Sequence, residues 1–97
     1  MTNNNIIFNN ALFSNALKEV IIEKIHNSNL ISSKLNVGDF TRIDFNLNKD
    51  NNTYTLSCST SYLGKDIHLE KTGKDVYELI PDLISTLERI MLKSKKH

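Results

Sequence analysis

The chain has 97 residues, of which 39% are apolar and 24% charged, with a formal net charge of +1. That length suits one domain with a single modest core, expected to span residues 1–97, and the even charge balance by itself favours no class of partner. Cys58 is the only cysteine, which excludes an internal disulfide, and no apolar run approaches the ~20 residues of a membrane span.

The opening stretch, MTNNNIIFNN, lacks the basic region and long apolar core of a signal peptide, so a cytoplasmic protein is expected. Thirteen asparagines all fall within the first 52 residues. Regular apolar spacing runs through the same stretch, which argues for exposed positions on ordered elements and against disorder.

In chain order, NIIFN (Asn5 to Asn9) is a short apolar run of strand type. Ser14 then offers a helix N-cap, although Leu17 stands where a capping box needs Glu or Gln. Ala16, Leu17, Val20, Ile21 and Ile25 recur at helical spacing, and Lys18, Glu19, Glu23 and Lys24 lie mostly off that stripe. The spacing predicts a helix from about Ser14 to Asn27. The segment NSNLISSKLNVGD reads as loop.

FTRIDFNLN alternates, with Ile43, Phe45 and Leu47 on one face and Arg42, Asp44 and Asn46 on the other. KDNN signals a hairpin, and TYTLSCSTSY places Tyr54, Leu56, Cys58 and Tyr62 on one side. LGKD is a second turn, followed by IHLEKT with Ile67 and Leu69 inward. Such half-buried alternation predicts an antiparallel sheet with one covered face.

The last element has the clearest period. Val76, Leu79, Ile80, Leu83, Ile84, Leu87, Ile90 and Met91 form a continuous helical stripe. Pro81 inside it lacks an N–H and crowds the carbonyl four residues back, so an irregular first turn or a kink is expected between Tyr77 and Pro81. The order β-α-β-β-β-α predicts an α+β fold, a four-stranded sheet with two helices packed on one face. The double-stranded RNA-binding domain shares the α-β-β-β-α part of this order. Its second helix opens with lysines that meet phosphates, whereas this chain has Asp75, Glu78 and Asp82 there, which disfavours that grip.

No catalytic, cofactor or metal site emerges from the residue pattern. EKTGKD has the Gly-Lys of a phosphate-binding loop, but His68 stands at the first glycine position and Asp75 replaces the Ser/Thr. Asp75 is better read as a helix N-cap, with Glu78 completing a capping box. His26, His68 and His97 have no partner at metal-ligand spacing. Cys58 is expected as a small buried hydrophobe. The remaining feature is the basic end ERIMLKSKKH, with Arg89, Lys93, Lys95 and Lys96 against Glu88 alone. Its plain meaning is a solvated helix end that complements the dipole. Its sharper meaning is a phosphate-binding strip, joined by Lys18 and Lys24 if the two helices lie side by side. A second class of function is a protein-interaction module using the open sheet face of Arg42, Asp44, Thr55, Ser57 and His68.

The stretch IHLEKTGKDVYELIPDLISTLER resembles the C-terminal signature of the ribosome hibernation-promoting factor family, which includes the ribosome-associated inhibitor. Ile67, His68, Gly73, Asp75, Tyr77, Ile80, Leu83, Leu87 and Arg89 match it in register. The first helix resembles the family pattern at Asn10, Ser14, Ala16, Leu17, Lys18 and Lys24. The resemblance implies a non-enzymatic short form that binds the small ribosomal subunit near the decoding centre. It would occupy the mRNA and tRNA region and keep idle ribosomes inactive in stress and stationary phase. Lys18, Lys24, Arg89 and Lys93, with Lys95 and Lys96 in the tail, would meet rRNA phosphates. A ribosome modulation factor is a further candidate partner, and a monomer is expected off the ribosome. Two departures stand out: Ser85-Thr86 replace the family's Asp-Lys, removing one phosphate contact, and Pro81 replaces an Asp.

Overall fold

The computed structural model describes residues 5–94. Seven elements follow in order: β1 (Ile6–Phe8), α1 (Asn15–Asn27), α2 (Asn29–Asn36), β2 (Phe40–Asp50), β3 (Thr53–Tyr62), β4 (Lys65–Gly73) and α3 (Val76–Ser94). The four strands form one sheet in the order β1-β2-β3-β4. The α+β architecture expected from the sequence is therefore present, with one helix more than the expected two.

That extra helix corrects the loop expected over NSNLISSKLNVGD. Its composition hides it, because Ser and Asn bond readily to their own backbone and favour turns over helix interiors. Two turns also carry too few apolar positions to show a period. Its support is tertiary and local. Ile31 is fully buried, and the Ser28 hydroxyl accepts the Ile31 N–H at 3.2 Å as an N-cap.

The three long strands pair antiparallel as expected, and the edge strand β1 makes the sheet mixed. The β2–β3 and β3–β4 pairs are antiparallel, but β1 lies parallel to β2, pairing Ile6 with Ile43 and Phe8 with Phe45. A parallel pair needs a crossover connection, which α1 and α2 supply. In β2, Phe40 and Ile43 both face inward because the register shifts between them. Thr41 and Arg42 are both exposed in this irregular stretch, and the Thr60 hydroxyl donates to the Arg42 carbonyl at 2.6 Å.

The covered face of the sheet is apolar throughout its centre. Phe40, Ile43, Phe45, Leu47, Leu56, Cys58 and Tyr62 are all almost wholly buried. Against them pack Leu17, Ile21 and Ile25 of α1 and Ile80, Leu83, Leu87 and Met91 of α3. Full burial of each aliphatic side chain contributes roughly 1.5–3 kcal/mol before the loss of entropy is subtracted. Phe8 joins the edge strand to this layer, with its ring 5.6 Å from Phe45 and 5.0 Å from Phe13.

The junction into α3 is structural. The Asp75 carboxylate accepts the Tyr77 N–H at 3.0 Å, and the Glu78 N–H bonds the Asp75 carbonyl at 3.1 Å. The first turn thus contains the tighter i→i−3 closure, in keeping with the irregularity expected before Pro81. The helix nonetheless runs through Pro81 as one element, with the ring on its exposed side. Gly73 is the last residue of β4. A Cβ there would lie 3.0 Å from Cδ2 of Leu79, so the glycine leaves room for the first turn of α3 to close on the sheet.

Both hairpins have two-residue turns. Asn51 takes φ 57° in the first, a conformation asparagine tolerates. In the second, Leu63 and Gly64 take 53° and 81°. The left-handed region costs a leucine roughly 1–2 kcal/mol.

Replacing Leu87, 1% exposed between α3 and the sheet, tests this packing. Leu87→Ala is expected to lower unfolding stability by about 2–5 kcal/mol in a urea titration.

Candidate nucleic-acid interface

Strand directions fix how the two long helices lie. Because β1 and β2 are parallel and β3 reverses, β4 runs in the same sense as β1. The helix after each of these edge strands runs back along the sheet, so α1 and α3 are parallel on its covered face. One bond sets their stagger. The Ser28 hydroxyl, at the end of α1, donates to Glu88 Oε2 at 2.5 Å, deep in the second half of α3. Ser28 thus serves three helices: its N–H closes α1 onto Ile25, its oxygen caps α2, and its proton is given to α3.

This stagger distributes the candidate cations. Lys24 lies one turn before Ser28, and Arg89 follows Glu88, so these two flank the joint. Both are exposed. Lys93 is also exposed, one turn beyond Arg89 on the same side of α3. The Arg89 guanidinium donates to the Thr86 hydroxyl at 3.2 Å, which in turn donates to the Asp82 carbonyl at 2.9 Å. Thr86 therefore orients Arg89 from the position where the family pattern has a lysine. Lys18 is held differently, near the start of α1, with Nζ 5.9 Å from the Phe8 ring centroid. Lys95 and Lys96 lie outside the described residues.

The helix surface is not uniformly basic. Glu19, Glu23 and His26 line a shallow groove of about 500 Å³ on the outer side of α1, close to Lys24. Along α3 the charge changes sign: Glu78 and Asp82 stand in the first half, Arg89 and Lys93 in the second. Asp82 is met by Lys71 of β4 at 3.8 Å. The clearest basic surface among the described residues is accordingly the last two turns of α3, extended by Lys24 across the Ser28–Glu88 joint. Ser28 was missed in the sequence, although a serine between two asparagines at a helix end is a possible cap signal.

The open face of the sheet is polar. Asp44, Ser59 and His68 stand in one cross-strand row. Ser59 Oγ lies 2.8 Å from His68 Nδ1, and Arg42 donates to Asp44 at 3.1 Å. Together with Asp66 they line a groove of about 380 Å³. Thr55 lies farther along the same face, bonded to Thr72 at 3.2 Å, and Ser57, between Thr55 and Ser59 in β3, is buried. Glu70 is 3.9 Å from the other nitrogen of the exposed His68, too far for a hydrogen bond. The serine, histidine and glutamate types of a nucleophilic set are present, but without the linked geometry such a set uses.

Cys58 is buried as expected, and burial pushes its thiol up to about 12, with the nearby Asp44 charge adding to the effect. The native thiol is therefore neutral and shielded. Among the described residues, no group of three His, Cys, Asp or Glu side chains gathers as a metal site, and no helix is long and apolar enough to cross a membrane.

No protein-family model matches this chain, and no curated protein matches it. Its fold is shared with solved structures. A ribosomal subunit interface protein from Coxiella burnetii aligns at TM-score 0.75 with 18% identity, covering 93% of each chain. The N-terminal domain of Thermus thermophilus Protein Y aligns at 0.69 with 14% identity, covering 93% of this chain and 94% of that one. The fold these comparisons define agrees with the resemblance carried by Gly73, Asp75 and Tyr77.

The joint and the sealed thiol can each be tested. Ser28→Ala is expected to cost about 2 kcal/mol, because it removes a cap and a hydrogen bond to a carboxylate. A double-mutant cycle with Glu88→Gln, read by urea unfolding, should show the two positions coupled. Cys58 should resist a thiol reagent at pH 8 and label only as the chain unfolds. Its raised value also fixes a sign: the contribution to stability is complete below the ordinary thiol value of 9.0 and is lost as pH rises toward about 12.

Proposed function

We propose that this chain is a ribosome-binding factor that silences translation without catalysing a reaction. It docks on the small subunit near the decoding centre, where mRNA and tRNA would otherwise lie. The observation that carries this reading is a coincidence of two signals. The sequence resembles the hibernation-promoting factor family through a stretch ending at Arg89, and the whole fold matches a ribosomal subunit interface protein over 93% of its length.

The physical mechanism is electrostatic docking of a rigid surface. Arg89 and Lys93 project from the C-terminal turns of α3, where the helix dipole favours cations, and on docking they would displace the counterions condensed on rRNA phosphates. Lys24 adds a third charge from α1, one turn before the Ser28–Glu88 bond that joins α1 to α3. Lys18 lies beside Phe8, so its contact belongs to a separate part of the surface. Lys95 and Lys96 would extend the basic end. Asp75, Glu78 and Asp82 keep phosphate away from the start of α3, which gives the docked chain an orientation.

The groove of Arg42, Asp44, Ser59 and His68 supports a second reading, a protein-interaction module on the open sheet face. Partners that persist through RNase treatment in a pull-down would favour it.

The test is co-sedimentation of the purified chain with small ribosomal subunits over a salt series. Binding should weaken steeply with salt. The Arg89→Glu/Lys93→Glu double variant should lose at least ten-fold in affinity and reduce the salt slope by about two. Absence of salt-sensitive binding by the unmodified chain would reject the reading.

A further inference from the structure

The β3–β4 turn places a residue where local chemistry disfavours it. Leu63 and Gly64 both have positive φ, between strand residues Tyr62 and Lys65 that pair directly. Turns of this kind favour Asn, Asp or Gly at both central positions. Gly64 fits, but Leu63 brings its Cβ against the following carbonyl. Burial does not offset the strain, since Leu63 is 52% exposed. At the opposite end of the sheet the chain puts Asn51 in the corresponding conformation. A strained, solvated leucine at a turn tip is the kind of outlier from which function is inferred.

Its surroundings combine exposed apolar residues with lysines and aspartates. The Leu63 N–H donates to the Asp39 carbonyl at 3.0 Å, tying the turn to the α2–β2 loop. Val37 in that loop is 69% exposed. The Asp39 carboxylate is engaged by Lys34 at 3.8 Å. Lys65 is exposed beside Gly64, with Asp66 next to it on the open face. The far end of α3 also returns here. From Lys65 to Gly73 β4 rises about 26 Å, and from Val76 back to Lys93 α3 rises about 26 Å. Exposed Leu92 and Lys93 therefore come level with the turn.

We propose that Leu63 is an apolar wedge that packs against an unstacked RNA base, with Lys65 and Lys93 meeting the flanking phosphates. Unpaired RNA offers both halves of that chemistry, an apolar base face and a charged backbone. The proposal rests on the ribosome-binding reading and adds a contact to it, on the turn tip. The tied backbone holds the wedge in position before binding, which reduces the ordering cost.

The experiment measures binding of the full chain to small ribosomal subunits and to rRNA deproteinised from them, across a salt series. Leu63→Asn relieves the turn, so its melting temperature should be unchanged or higher. Its affinity for both targets should fall roughly ten-fold, since a leucine's burial is lost. Its salt slope should stay the same, because leucine releases no counterions, whereas Lys65→Gln should lower the slope by about one. Unchanged affinity of Leu63→Asn overturns the wedge, and so does a lowered melting temperature, which would mark a packing residue. A loss on intact subunits with rRNA binding unaltered would assign the tip to a protein and also overturn it. If charge reversal at Arg89 and Lys93 weakens binding while Leu63→Asn does not, the wedge fails and the ribosome-binding reading stands. If the unmodified chain binds neither target, both fail.

Discussion

One constraint organises this molecule: the inner face of its sheet must be covered. Phe40, Ile43, Phe45, Leu47, Leu56 and Cys58 make the centre of that surface apolar, and water there would undo the fold. α3 supplies most of the cover through Ile80, Leu83, Leu87 and Met91, and α1 completes it through Leu17, Ile21 and Ile25. Once those stripes are committed inward, every other residue on the two helices is assigned to an edge or to solvent. The surface that could meet a partner is thus a consequence of the core.

The Ser28–Glu88 bond refines that assignment. Two apolar helices packed on a sheet can slide by a turn at modest cost, because hydrophobic contact is non-directional. A hydroxyl held at 2.5 Å by a carboxylate is directional, and it joins the end of α1 to a definite residue of α3. Ser28 is 8% exposed, so loss of its partner would leave a polar atom largely shielded from water. The same joint lies one turn from Lys24 in α1 and next to Arg89 in α3, whereas Lys18 lies beside Phe8. The proposed phosphate-binding surface is therefore smaller than a full strip along both helices, and Glu19 and Glu23 narrow it further.

Legibility varied with the kind of signal. Long elements with regular apolar spacing were readable: α1, the three long strands and α3 lie where their periods put them, and Asp75 caps α3 as its position implied. Residues that answer to distant partners were not. α2 has two turns in which half the residues are Ser or Asn, and the burial of Ile31 with the Ser28 cap makes it a helix. The pairing of Phe8 with Phe45 makes β1 parallel, and three residues of strand cannot announce their direction. Gly73 was legible as important but not for its reason, which is the approach of Leu79 from the next element.

The sequence by itself determined the α+β class, the inward set of each long strand, and the acidic start and basic end of α3. Those properties are local, written in periods of two and 3.6 residues and in the charges nearest a helix end. Only the tertiary structure decided that Ser28 joins the end of α1 to Glu88 of α3, that β1 lies parallel to β2, and that the Leu63 turn is tied to Asp39. Each of these depends on elements that are far apart in the chain and meet only when the sheet is covered.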